Sequence, residues 1–136
     1  MASELKVNTL TGVSTAGSIA VTAEGNSTTT NLQQGLAKVW AYFNQASSSS
    51  TPADSFNVSS IDDDSAGDFD VNYTNAMVNN TYASAFNSDA VGNAIVSNNM
   101  IIGAGYATTE LRFLHYENGS LVDATAGTVM IMGDLA

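Results

Sequence analysis

Apolar and polar residues alternate most regularly over residues 68–74, where Phe69, Val71 and Tyr73 fall on one side and Asp68, Asp70, Asn72 and Thr74 on the other. Successive side chains of an extended chain point to opposite faces, so this spacing predicts a strand with one dry face and one wet face. Residues 55–61 carry the same rhythm, with Phe56 and Val58 alternating with Asn57 and Ser59. An acidic stretch, Asp-Asp-Asp-Ser-Ala-Gly over residues 62–67, separates the two and predicts a β-hairpin that turns through it. Upstream, residues 36–44 place Lys38, Trp40 and Tyr42 on one face of a strand and Ala37, Val39, Ala41 and Phe43 on the other. Trp40, the only tryptophan, is expected to anchor the core. Residues 45–54 hold four serines, a threonine and the only proline, which break both periodicities and predict a loop.

Beyond the hairpin the apolar segments are short. Residues 81–86 point Tyr82 and Phe86 inward. Residues 87–99 read as polar and irregular, interrupted by Ala94, Ile95 and Val96, and a strand follows at 100–102. Residues 106–116 set Leu111, Phe113 and His115 on one face against Arg112, Leu114 and Tyr116 on the other. Large residues on both faces imply a strand that is central or covered by a partner. Asn118-Gly119 is a strong hairpin signal leading into Leu121 and Val122, and residues 128–132 form a last apolar strand. Seven or eight short strands with no convincing amphipathic helix predict an all-β fold, an antiparallel β-sandwich of jelly-roll or Greek-key type.

The first 35 residues do not share this density. Leu5, Val7 and Leu10 form one apolar stripe and Ile19 and Val21 another, among Thr, Ser, Gly, Ala and Asn. So few large side chains do not offset a backbone ordering cost of about 1–2 kcal/mol per residue. Residues 1–35 are therefore expected to be an extended arm for assembly or attachment, and residues 36–136 the sandwich domain. The alternatives are a mobile tail or a strand returning to its own domain. Residues 31–36 predict a single helical turn as a joint, capped by Asn31 and stopped by Gly35. Leu32 and Leu36 complete the expected interface set of Leu5, Val7, Leu10, Ile19, Val21, Leu32 and Leu36.

Charge narrows the function classes. Only 12% of the 136 residues are charged, yet 13 are acidic and 3 basic, a formal net charge of −10. Such a surface repels phosphate backbones, so no nucleic-acid partner is expected. Without cysteine there is neither a disulfide nor a thiolate metal site. No apolar run reaches the roughly 20 residues of a membrane span, and residues 1–10 lack the pattern of a signal peptide, so a cytoplasmic origin and no membrane insertion are expected. Asp62, Asp64, Gly67 and Asp68 partly resemble a calcium loop, but Ala66 and Tyr73 stand where that loop places ligands, and the favoured reading is a solvated turn without metal. His115 is the only histidine, no nucleophile elbow or phosphate loop is present, and no catalytic residue or cofactor is expected.

The residues also resemble a known module. Trp40-Ala-Tyr-Phe-Asn44, then Ser55-Phe-Asn-Val-Ser-Ser-Ile-Asp62, then Gly67-Asp-Phe-Asp-Val-Asn-Tyr-Thr-Asn-Ala-Met77 are similar to a segment of tail-fibre and other virion appendage proteins of tailed bacteriophages. The opening Glu4-Leu-Lys-Val-Asn-Thr-Leu10 is similar to N-termini of phage structural proteins, especially marine ones. The resemblance covers residues 36–83 well, the arm loosely and the last 50 residues not at all. It implies a non-enzymatic structural protein, a homotrimer located in the virion, with capsid or tail proteins and host surface glycans as further partners. The chain has none of the long shaft of a complete tail fibre, which points equally to a capsid decoration or head-appendage role. The competing expectation is a carbohydrate-binding adhesin, with Tyr106, Tyr116 or another exposed aromatic stacking on sugar.

Overall fold

The computed structural model describes residues 5–12, 19–22, 28–33, 35–47, 51–89, 99–100, 105–117 and 119–136. The apolar interruption expected at 94–96, and Ile101 and Ile102, lie outside them. The chain divides into two compact units, Met1–Leu36 and Ala37–Ala136.

In the first unit a small antiparallel hairpin pairs β1 (Ala20–Thr22) with β2 (Thr29–Asn31), Val21 lying opposite Thr30. The Leu32 amide donates to the Ile19 carbonyl at 2.8 Å and extends the pairing by one rung. The Gly35 amide then donates to the Asn31 carbonyl at 3.1 Å, a single turn at the expected joint. A hairpin of three-residue strands is marginal in water, and the side chains of β1 are exposed.

The second unit is built from β3 (Ala37–Phe43), β4 (Asp54–Phe56), β5 (Val58–Ser65), β6 (Asp68–Tyr73), β7 (Ala83–Asp89), β8 (Asn99–Met100), β9 (Glu110–Glu117), β10 (Ser120–Leu121) and β11 (Ala126–Met132). All pairs are antiparallel. One sheet runs β4-β3-β11-β7; the other runs β10-β9-β6-β5, with β8 also paired to β9. The chain changes sheet after β4, β6, β7 and β10, so neither sheet is a continuous piece of sequence. The fold is an all-β antiparallel sandwich, with no α-helix among the described residues.

The core lies between the two sheets. Val39, Ala41 and Phe43 from β3, Phe86 from β7, and Val129 and Ile131 from β11 meet Ile61, Phe69, Val71, Leu111 and Phe113 from the opposite sheet. Four phenylalanines join the layers: ring centroids are 5.1 Å apart for Phe43 and Phe69, and 5.2 Å for Phe86 and Phe113. Such pairs add roughly 0.5–1.5 kcal/mol each beyond their burial. Gly127 lies opposite Phe43 across β11 and β3, and a Cβ there would sit 2.6 Å from Phe43 Cζ. Its missing side chain is the space the ring occupies.

Three expectations change. Residues 55–61 are two strands and not one: Ser55 and Phe56 pair with β3, whereas Val58 onward pairs with β6 in the other sheet. The switch is made at Asn57, whose φ of 58° is left-handed. That single residue breaks the parity between Phe56 and Val58, so Phe56 is exposed while Val58 packs against the core. Second, Asp62, Asp63 and Asp64 belong to β5, and the turn is reduced to Ala66 and Gly67. Gly67 has φ 68°, and a Cβ on it would lie 2.5 Å from the His115 carbonyl oxygen, so backbone crowding reserves the site for glycine. Third, Trp40 does not anchor the core. Phe43, Val39 and Ala41 fill the inner face of β3 and leave Trp40 on the outer one.

Candidate functional site

Two outer faces carry distinctive chemistry. On the β4-β3-β11 surface, Phe56 lies opposite Trp40, and Trp40 lies opposite Met130, so three large apolar side chains form one row across three strands. Phe56 is 50% exposed, Trp40 37% and Met130 47%; Tyr42, two residues along β3, is 48% exposed. Asp54 and Thr128 flank Tyr42 in the next row. Sequence alternation placed Trp40 and Tyr42 together, but Phe56 and Met130 join them only through strand pairing.

The other sheet presents an acidic surface. Asp62 is directly opposite Asp70, and Asp70 is opposite Arg112. The guanidinium does not settle on Asp70: Arg112 Nε donates to Asp68 Oδ1 at 2.8 Å and its Nη2 to Asp68 Oδ2, a two-pronged pair. Asp70 Oδ1 is left buried without a hydrogen-bond partner among the described residues. Burial, with Asp64 and Glu110 nearby, pushes the Asp70 carboxyl above its ordinary range, against the smaller opposing pull of Arg112.

These contacts also place the calcium candidates. Asp68 is committed to Arg112, while Asp62 and Asp64 are exposed on β5. Among the described residues no group of three or more His, Cys, Asp or Glu side chains is placed to hold a metal. Asp63 faces away from the other two and accepts from Gln45 Nε2 at 3.3 Å. Gln45, itself buried, also accepts from the Ala124 amide at 3.2 Å, tying the turn after β3 to the segment before β11.

His115 is fully buried. Its Nδ1 donates to the Val122 carbonyl at 2.6 Å, while Nε2 is buried with no hydrogen-bond partner among the described residues, and the ring meets Phe86 edge-on at 6.1 Å. An imidazole fixed this way supports packing of the β9–β10 end. Tyr106 is half-buried and engaged internally, its hydroxyl 2.9 Å from Ser84 Oγ and its ring 5.2 Å from Tyr82. Tyr116 is half-buried opposite Leu121.

Of the interface residues expected in the arm, Leu5 is 79% exposed, and Val7, Leu10, Val21 and Leu36 are also exposed; Ile19 and Leu32 are half-buried. The hairpin's closing bond brings Ile19 and Leu32 together. No protein-family model, curated protein or solved structure matches the chain.

Proposed function

We propose that this chain is a non-enzymatic structural protein of a bacteriophage virion, a small homotrimeric appendage of tail-fibre, capsid-decoration or head-appendage type held by contacts between subunits. The observation that carries this reading is the contrast between the two units. Residues 37–136 close around their own core, whereas Leu5, Val7 and Leu10 display aliphatic side chains to water. Each aliphatic side chain moved from water into a contact contributes roughly 1.5–3 kcal/mol, so these residues favour burial by another molecule. The resembling segments lie in β3, β4, β5 and β6, strands that carry Val39, Ala41, Phe43, Ile61, Phe69, Val71 and Tyr73 of the core. The sole histidine is sealed off, which removes the most versatile acid–base group from any reaction. Sedimentation of the full chain should give a trimer, and imaging of an intact particle should find it at fixed sites on shell or tail. A chain absent from the particle ends this reading.

A second reading, a carbohydrate-binding adhesin, is favoured by the exposed aromatics Trp40, Tyr42 and Phe56 on one face. Glycan-array binding lost in Trp40→Ala would support it, and few copies confined to the tail would fit it better than hundreds across the shell.

A further inference from the structure

We propose that the outer face of the β4-β3-β11 surface is the acceptor for the N-terminal arm of a second copy of this chain, with Leu5, Val7 and Leu10 laid across Phe56, Trp40 and Met130. This deepens the assembly reading above and rests on it. The first ground is area. Side chains of this size, about half exposed, together bare on the order of 400 Å². That lies within the roughly 300–600 Å² of a monomer's largest apolar patch, which is often functional, and well short of the roughly 800 Å² per partner of a standard interface. The face is too small to hold a second sandwich by itself and the right size for a strip of chain. Residues 5–10, when extended, span about 20 Å, enough to cross three strands spaced by about 4.8 Å.

The second ground is charge. Residues 37–136 contain 11 of the 13 acidic residues and two of the three cations, so apposing two bodies is repulsive. Residues 1–35 contain only three charged residues, Glu4, Lys6 and Glu24. An arm inserted between bodies brings apolar, sparsely charged surface where a second body would bring carboxylates. The third ground is chemistry: both halves of the contact are apolar and exposed in the same chain.

Trp40 is the only tryptophan and sits in the middle of the row, so its fluorescence reports coverage of this face. With the full chain, rising concentration should shift Trp40 emission to shorter wavelength and reduce iodide quenching in step with association measured by sedimentation. Leu5→Asp combined with Val7→Asp should weaken association by roughly a hundredfold or more and keep Trp40 quenchable at every concentration, with the sandwich melting unchanged. Met130→Asp, on the receiving side, should do the same. A stable oligomer whose Trp40 stays quenchable overturns the proposal and leaves the assembly reading intact. Protection in a monomer, meaning the arm folds onto its own body, overturns it, as does protection that survives the double substitution or that is produced by added oligosaccharide. Absence from the particle, by contrast, defeats the assembly reading itself.

Discussion

Gly127 and Asp70 show how single side chains set the tolerance of this fold. Gly127→Ala places a methyl against the Phe43 ring, which is fully buried and braced by Phe69 and Phe86. Overpacking of this kind typically costs about 1–3 kcal/mol, and urea denaturation should show the lower midpoint with an unchanged slope. Asp70 acts through its proton. Its carboxyl is raised in the folded chain, so the fold holds that proton more tightly than the unfolded chain does. Ionised Asp70 therefore weighs against folding at neutral pH, and the penalty is relieved as pH falls through the raised folded value towards the ordinary carboxylate range. Asp70→Asn should raise Tm at pH 7, with the advantage over the parent shrinking on acidification; an equal gain at all pH values would contradict the assignment.

Among the elements, the junction of β4 and β5 depends on Asn57. In its left-handed conformation Asn57 Oδ1 accepts from the Asn75 amide at 2.7 Å, its Nδ2 donates to the Asn75 carbonyl at 3.1 Å, and its own carbonyl accepts from the Thr74 amide at 3.1 Å. Asn57→Ala loses the side-chain bonds and adds left-handed strain, about 2–3 kcal/mol together. Asn57→Gly loses the bonds alone and should fall between the two in thermal melts. This junction also shows what the sequence left illegible. The strands over 68–73 and around 111–116 are readable because alternation is a local property, and the turn at Gly119 is readable because turn chemistry is local. Which strands become neighbours is not local: Phe56 and Val58 look like one face until Asn57 rotates the chain between sheets. The outward position of Trp40 is illegible for the same reason, since alternation divides β3 into two faces without saying which faces inward. The face carrying Phe56, Trp40 and Met130 therefore emerges only with strand pairing, whereas the aliphatic stripe of the arm was visible directly.

At the scale of the whole molecule, the chain divides at residue 36 into two compact units, and the proposed assembly assigns them different tasks. Deleting residues 1–30 should weaken the oligomer or its attachment while leaving the sandwich melting transition in place; a truncated chain that still trimerises and decorates particles would refute this. A trimer of chains at −10 carries about −30, and salt screens that repulsion over about 8 Å at physiological ionic strength. Assembly should therefore tolerate high salt. At constant ionic strength calcium should give no specific rise in Tm, since Asp68 is already occupied by Arg112 and Asp62 and Asp64 gather no third ligand among the described residues. A calcium-specific shift abolished by Asp64→Ala would show otherwise. The order of the sheet has a consequence for biosynthesis. β11, the last strand, lies between β3 and β7 and is the element that joins them. Until residue 132 has left the ribosome, β3 with β4 and β7 are two unconnected edges over an open core. Closure is thus a late step joining residues far apart in sequence, which slows folding. A nascent chain interrupted before residue 126 would expose sticky strand edges to its neighbours, making synthesis through β11 a condition for escaping aggregation.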